Sequence, residues 1–323
     1  MTRYDIIGDV HGEATELKTL LDCLDYQRDG DGVYRHPERT AVFIGDLVDR
    51  GPEQLEVLQI VKAMVDAGAA QIVMGNHEFN AICYAMGLRE RTDDNKRQHA
   101  EFLKIPEEQR ELYLEWFKTF PLWLELPGPD EGSRIRVVHA CWHEESIQVV
   151  LDATGGSGLL TEDQHFADAM KKHEKHPLYQ AVEKLLKGPE IDLLEYGQQP
   201  FFDRAMKQRH EARLRWWKPD ARTLREIADV RKVQTADREE YPDLPDEPVE
   251  DRHRDHTYRD DIPVFFGHYS LDWDDHPEDC SDYTACVDFN GKLVAYRWDG
   301  EPTITPRNYE PQTSDVGAET PSG

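Results

Sequence analysis

Asp9 and His11 stand two residues apart in Gly8-Asp9-Val10-His11-Gly12. Asp46 and Asp49 share a second short segment, Gly45-Asp46-Leu47-Val48-Asp49-Arg50-Gly51. Asn76 and His77 share a third, Gly75-Asn76-His77-Glu78. Two single histidines follow, His139 in His139-Ala140 and His268 in Gly267-His268-Tyr269-Ser270. Carboxylate, amide and imidazole donors in this mixture suit divalent first-row metals such as Mn, Fe, Zn, Co or Ni. There are enough donors for two ions if one carboxylate bridges. Two ions roughly 3.5–4 Å apart can stabilise both the attacking and the leaving oxygen of a phosphoryl displacement, and bound water then acidifies to about pKa 7 in the best-known zinc case. A lone Asp-x-His is ordinarily a turn or a helix cap, so the weight rests on the five segments together.

Something must bring these segments to one place. Residues 4–8 are an apolar run ending in Gly-Asp, and Leu17, Leu20, Leu21 and Leu24 then recur at helical spacing. Residues 41–44 form a second apolar run, again ending in Gly-Asp. Leu55, Leu58, Ile60, Val61 and Val65 fit a second helix stopped by Gly68, and residues 71–74 a third strand ending in Gly-Asn. This βαβαβ order predicts an α/β fold with a largely parallel, buried sheet and helices on its faces. Ligands in open α/β sheets gather outside the carboxyl ends of the strands, which is where every candidate residue falls. Residues 134–139 and 262–266 read as further strands, each leading to a candidate histidine. Residues 284–289 and 292–298, joined at Asn290-Gly291, read as a closing hairpin.

Two stretches interrupt this frame. Residues 88–130 read as a helical insertion with Trp116, Phe117, Phe120, Leu122 and Trp123 on its apolar face. Residues 155–260 read as a longer, polar insertion, helical between about 162 and 186, then acidic and proline-bearing from 237 to 261, where a surface loop or lid is expected. The expected organisation is one catalytic domain over 1–300 with both insertions forming a helical cap, and a disordered polar tail over 301–323.

Composition narrows the function. A formal net charge of −27 excludes a general binder of nucleic acid or anionic membrane, because long-range repulsion slows encounter. Metals could still make one local pocket attractive to an anion. Arginines outnumber lysines 24 to 14 on this acidic chain, which fits a salt-tolerant host as well as an ordinary acidic enzyme. Cys23, Cys83, Cys141, Cys280 and Cys286 are scattered and form no CxxC pair, so reduced thiols in the cytoplasm are expected. No apolar run is long enough to span a membrane.

The motifs resemble those of the calcineurin-like metallophosphoesterases, with the closest likeness to the bacterial phosphoprotein-phosphatase and symmetrical diadenosine-tetraphosphatase group. Residues 8–12 resemble its GDxHG, residues 45–51 its GDxVDRG and residues 75–78 its GNHE; His139-Ala140 and Gly267-His268 match the last two metal motifs. The resemblance covers roughly residues 4–86, 134–142 and 262–298, not the insertions. It implies a β-sandwich flanked by helices. It implies that Asp9 and His11 bind a first metal, that Asp46 bridges, and that Asn76, His139 and His268 bind a second, with manganese the expected ion. Arg50 would contact the substrate phosphate, His77 would be the general acid and Asp49 would orient it; a metal-bridging hydroxide would attack in line. The family's second phosphate-binding arginine would come from Arg213-Leu214-Arg215-Trp216-Trp217, as Arg213 or Arg215, against the plainer reading of a solvated face over buried tryptophans.

Two departures place the chain within the group. Ser270 stands where many phosphodiesterases of the superfamily have a second histidine, and Met74 stands where eukaryotic protein phosphatases usually carry an arginine. Other polar residues receive plainer readings: Glu78 as a structural group beside the ligands, His143 as a polar neighbour, Cys141 as packing and the acidic residues 272–282 as a solvated loop. Trp116, Trp123, Trp216 and Trp217 read as core of the insertions, or as a shelf for a base. The function expected is a metal-dependent phosphatase acting on phosphoproteins (Ser/Thr, with Tyr open). The alternative is a dinucleoside-polyphosphate hydrolase. A phosphodiesterase is disfavoured by Ser270 and the charge, and a non-catalytic phospho-binding scaffold by the intact ligand set.

Overall fold

A computed structural model of the chain describes residues 3–203, 206–231, 233–273 and 281–311. In chain order the elements that matter are β1 (Arg3–Ile7), α1 (Ala14–Cys23), β2 (Arg39–Phe43), α2 (Gln54–Asp66), β3 (Ala70–Ile72), α3 (Asn76–Ala85), α4 (Asp93–Gln98) and α5 (Glu107–Phe117). There follow β4 (Trp123–Pro127), β5 (Arg134–Val138), α6 (Glu144–Ala153), α7 (Asp163–Ala169), α8 (Pro177–Lys187), β6 (Glu190–Asp192), β7 (Glu211–Leu214) and β8 (Ala228–Asp229). Last come β9 (Val264–Phe266), β10 (Thr284–Cys286), β11 (Ala295–Trp298) and β12 (Tyr309–Glu310).

Two sheets share one core. The first has the order β12-β11-β1-β2-β3, the second β10-β9-β5-β4. Strands β1, β2 and β3 are parallel, as the βαβαβ order predicts. Both faces of these strands are covered, so Ile6, Ile7, Ala41, Val42 and Phe43 are all fully buried and form continuous apolar runs. The sheets meet through side chains such as Phe265 of β9 and Tyr296 of β11, whose rings lie 4.9 Å apart. Helix α8 shows how sequence sets one element. Pro177 opens it, Gly188 with φ of 84° stops it, and Leu178, Ala181, Val182, Leu185 and Leu186 line its buried face. Burying each of the larger side chains stabilises by roughly 1.5–3 kcal/mol.

The C-terminal hairpin departs from the expected one. Only Asp288–Phe289 and Lys292–Leu293 pair across Asn290-Gly291. The flanks separate because they belong to different sheets: β10 runs parallel to β9, and β11 antiparallel to β1. Val287 and Val294, both fully buried, sit where the chain crosses. The first part of the expected tail is instead paired. Tyr309–Glu310 pairs with β11, and buried Tyr309 donates its hydroxyl hydrogen bond to the Cys286 carbonyl at 2.8 Å. Residues 312–323 lie outside the described residues, as do residues 274–280 of the acidic stretch.

The insertions behave differently. Trp116, Phe117, Phe120 and Leu122 of the first are buried in the main core, and Trp123–Pro127 is an edge strand of the second sheet. The second insertion contributes α7 and α8 to the main core. Beyond them it builds a small lobe of its own, with the sheet β8-β7-β6 around Ile191, Leu193, Phe201, Leu214, Leu224 and Ile227. The acidic stretch is pinned to this lobe: Tyr241, Leu244 and Val249 are buried in the same small core.

His143 caps α6, its Nδ1 accepting from the Ser146 N–H at 3.2 Å, while its Nε2 lies 3.3 Å from His256 Nδ1. Burial pushes the pKa of His143 down to about 4 and that of His256 down to about 3, with the Lys184 charge acting the same way. Both are therefore neutral in the fold, whereas an unfolded histidine takes up a proton near pH 6.5. The contribution of these two histidines to stability is flat above pH 6.5 and falls as pH drops toward their folded values of about 4 and 3. Between pH 7 and 5 the loss is roughly 2 kcal/mol per histidine. Urea unfolding of a His143→Gln/His256→Gln double variant at pH 7 and pH 5 should show a smaller loss than the parent; equal losses contradict this account.

Candidate metal centre

The candidate residues sit on loops that begin where strands end. β1 ends at Ile7, β2 at Phe43, β3 at Ile72, β5 at Val138 and β9 at Phe266. The first three are mutually parallel, and β5 and β9 are parallel in the facing sheet. The loops are tied together by backbone. Val10 and His11 N–H groups donate to the Asp46 carbonyl at 3.1 and 2.8 Å, and Gly12 N–H donates to Leu47 at 2.9 Å. Glu78, fully buried, accepts from Asp46 and Gly75 N–H with Oε2 (2.8 and 3.1 Å) and from Leu47 and Val48 N–H with Oε1 (2.8 and 3.3 Å).

Close approach requires glycine in these loops, Gly75 and Gly267 among them. A Cβ on Gly75 would lie 2.2 Å from the Asp46 nitrogen, and one on Gly267 would lie 2.5 Å from Asp9 Oδ1. Six non-glycine residues here take positive φ: His11 (47°), Asp46 (52°), Asp49 (69°), Arg50 (69°), His268 (69°) and Ser270 (50°). Each such conformation costs about 1–3 kcal/mol and persists only where the surroundings impose it, typically at functional sites.

Hydrogen bonds to carbonyls set the histidine tautomers. His11 Nδ1 donates to the Val48 carbonyl at 3.0 Å and His139 Nδ1 to the Ile44 carbonyl at 2.8 Å. A carbonyl only accepts, so in each neutral ring Nε2 carries a lone pair. His11 Nε2 lies 3.7 Å from both Asp9 Oδ2 and Asp46 Oδ2. His139 Nε2 faces Asn76 Oδ1 at 2.9 Å and Asp46 Oδ2 at 3.5 Å. The ligand atoms of His11, Asp46 and His77 form one group within 4.8 Å, and those of Asp46, His139 and His268 a second. Asp46 belongs to both. His77 Nδ1 is engaged by Asp49 Oδ2 at 2.6 Å, and its Nε2 is 3.8 Å from Asp46 Oδ2.

These groups strain one another electrostatically. Burial pushes the Asp9 carboxyl well above the usual range, and the Asp288 and Asp46 charges add to it. Burial alone would raise Asp46 too, but the imidazoles of His139, His77 and His11 hold it below its ordinary value. Burial drives His11 down to about 3 and His268 well below a normal histidine. For His77 burial acts downward, yet Asp46 and Asp49 overcome it and raise the pKa.

Residues 2–197 match the model of the calcineurin-like phosphoesterase family. The chain belongs to that family. It is 36% identical over 151 residues to an asymmetrical bis(5'-nucleosyl)-tetraphosphatase of Halalkalibacterium halodurans, covering 45% of this chain and 59% of that protein. It is 33% identical over 120 residues to a symmetrical bis(5'-nucleosyl)-tetraphosphatase of Vibrio parahaemolyticus, covering 37% of this chain and 40% of the relative. The chain thus matches less than two thirds of the length of these relatives. Among solved structures, a Saccharomyces cerevisiae protein serine/threonine phosphatase is 15% identical with a TM-score of 0.44, over 95% of this chain and 78% of that one. Its two packed sheets with flanking helices are the metallophosphoesterase α/β fold.

The family implies a dinuclear divalent metal centre, and the donors present fit one. Asp9 Oδ1, His11 Nε2 and His268 Nε2 are buried with no hydrogen-bond partner among the described residues. His139 Nε2 and Asn76 Oδ1 converge to 2.9 Å beside them. Cations would satisfy all of them and reverse the pressure that protonates Asp9.

The two arginine candidates diverge. Arg213 Nη1 donates to the His268 carbonyl at 3.3 Å, and its guanidinium lies 5.7 Å from the Tyr269 ring centre. Arg215 instead turns to Asp229, at 3.6 Å. Trp216 and Trp217 are fully buried, so neither offers a shelf for a base. The sequence reading missed Asp288, a buried carboxylate that accepts from the Ser270 N–H at 2.6 Å. An acid inside the apolar run before Asn290-Gly291 was the available signal. It also missed His99 and Gln98, both in contact with Asp49. Nothing in their local sequence marks them.

Proposed function

We propose that this chain is a two-metal phosphatase that cleaves phosphomonoesters of the phosphoprotein type. The observation that carries the reading is the Asp46 carboxylate shared by two clusters of imidazoles, in which His11 Nε2 and His268 Nε2 are buried without a hydrogen-bond partner among the described residues. Asp9, His11 and Asp46 would hold the first cation; Asp46, Asn76, His139 and His268 would hold the second. When bound, the two cations polarise the phosphoryl oxygens and supply the attacking water.

The remaining work falls to side chains. His77 is the general acid: Asp49 takes its Nδ1–H, so Nε2 faces the site and carries the proton that the leaving oxygen receives. Arg50 is exposed at the same edge, and its charge acts on Asp9, His11 and His77. Its fork suits two phosphoryl oxygens. Arg213 is the second clamp and Arg215 a structural residue. Accordingly, Arg213→Ala should lower kcat/KM about 10–100-fold with little change in Tm, since a charge-assisted hydrogen bond contributes about 1.5–3 kcal/mol. Arg215→Ala should shift Tm more than kcat/KM. The reverse pattern would exchange the two roles.

The names of the relatives support a second reading, hydrolysis of a bis(5'-nucleosyl) tetraphosphate. The fully buried Trp216 and Trp217 favour the first. Metal-stripped protein reloaded with manganese, the expected ion, should turn over para-nitrophenyl phosphate; no metal-dependent turnover sinks both readings. A phosphoserine peptide, a phosphotyrosine peptide and diadenosine tetraphosphate assayed side by side then separate them. No helix among the described residues is long and apolar enough to cross a membrane, which agrees with the cytoplasmic location we infer.

A further inference from the structure

The general acid is supported from an unexpected direction. Residues 89–99 lie beyond the three N-terminal motifs, in the first insertion. Yet Gln98, the last residue of α4, and His99, which follows it, reach into the site. His99 is 1% exposed, packs on the Tyr84 ring at 5.3 Å, and sets its Nδ1 astride the Asp49 carboxylate, 3.1 Å from Oδ1 and 3.0 Å from Oδ2. Gln98 Nε2 lies 3.3 Å from Asp49 Oδ2, the same oxygen that His77 Nδ1 approaches at 2.6 Å.

Arg89 decides how these groups are oriented. Its Nη1 lies 3.0 Å from Gln98 Oε1 and 3.2 Å from His99 Nε2. A guanidinium only donates. His99 Nε2 must therefore accept, which puts the proton on Nδ1 and aims it at Asp49. The Gln98 oxygen must accept as well, which turns its NH₂ toward Asp49. The backbone side of Asp49 is fixed too, its N–H donating to Gln54 Oε1 at 2.8 Å.

We propose that Arg89, Gln98 and His99 form a donor clamp on Asp49 that locks the carboxylate and, through it, the tautomer and direction of His77. The clamp rests on the reading of His77 as general acid and deepens it. With both carboxylate oxygens occupied by N–H donors, Asp49 cannot rotate away. His77 must present Nδ1–H to it and Nε2 to the substrate. All three are positioning residues, since none touches the reacting atoms. The direction of one imidazole is thus written partly in an insertion that carries none of the metal motifs.

The test uses the full metal-loaded chain with phenyl phosphate, whose leaving group needs a proton, and 2,4-dinitrophenyl phosphate, whose leaving group does not. His99→Phe keeps the ring against Tyr84 and removes the donor. It should lower kcat on phenyl phosphate about 10–100-fold, the usual range for groups that orient a functional side chain. The dinitrophenyl substrate should lose under about threefold, with two metals per chain retained by elemental analysis. His99→Gln, which restores an N–H toward Asp49, should recover most of the loss. Placed on His77→Asn, His99→Phe should add nothing. Equal loss on both substrates, or a further loss on the His77→Asn background, overturns the clamp. Should His99→Phe fail to fold, Arg89→Met is read in the same way. If His77→Asn itself shows no dependence on the leaving group, the general-acid reading falls and the clamp with it. If it does and His99→Phe does not, only the clamp falls.

Discussion

Replacing His77 with asparagine should lower kcat on an alkyl phosphate such as β-glycerophosphate by about 10²–10⁴-fold, the range general-acid catalysis supplies. That corresponds to about 3–5 kcal/mol of transition-state stabilisation. An alkoxide is a poor leaving group, so a proton must arrive as the P–O bond breaks. His77 holds that proton above the ordinary histidine range because Asp46 and Asp49 outweigh its burial. On para-nitrophenyl phosphate the same variant should lose far less, since nitrophenolate departs without help. Metal content should stay at the parent's value. An asparagine at this helix start still presents the backbone N–H that donates to Asp46 Oδ1 at 2.9 Å, so the geometry of the Asp46 carboxylate survives. Equal losses on the two substrates would show that His77 acts in binding or in holding metal, a reading its 3.8 Å approach to Asp46 makes worth testing.

What the sequence revealed of this centre has a physical cause. Chemistry that needs Asp, His and Asn at strand ends writes itself into short local segments. Gly8-Asp9-Val10-His11-Gly12 and Gly75-Asn76-His77-Glu78 could be recognised because each strand, turn and donor lies within a few residues. The parallel arrangement followed from the same locality, since βαβ spacing fixes it. Groups that reach the site from a distance left no such trace. His99 meets Asp49 across 50 positions, and its role depends on Arg89, which only the fold brings near. Asp288 was visible as an acid in an apolar run, but its bond to the Ser270 N–H spans 18 residues and a change of sheet. The hairpin was over-extended for a related reason. Alternation and Asn-Gly mark a turn, but they carry no information about which sheet each flank joins. Glu78 lies between these cases: its place in the motif was legible, its four donors were not.

Those four donors make Glu78→Gln the substitution with the largest expected effect on stability. The loop it holds carries positive φ at Asp46 and Asp49, conformations that cost about 1–3 kcal/mol each without support. Both carboxylate oxygens are fully used, Oε1 by Leu47 and Val48, Oε2 by Asp46 and Gly75. Burial and the Asp46 charge push the Glu78 pKa up to about 7, against these N–H donors, which favour the anion. Glutamine has the same shape but only one acceptor. Its NH₂ must face two buried N–H groups and leave them unmatched. At about 1–3 kcal/mol per unsatisfied buried group, the loss is roughly 2–6 kcal/mol. Urea unfolding of the metal-free protein should show that drop. Metal titration should show weakened binding, because Asp46 would lose the backbone that aims its two oxygens. A Glu78→Gln protein with the parent's unfolding midpoint and metal affinity would mean that the loop is held by its neighbours instead. In that case the strain at Asp46 and Asp49 must be borne by the Asp46 and Leu47 carbonyls, which accept from Val10, His11 and Gly12.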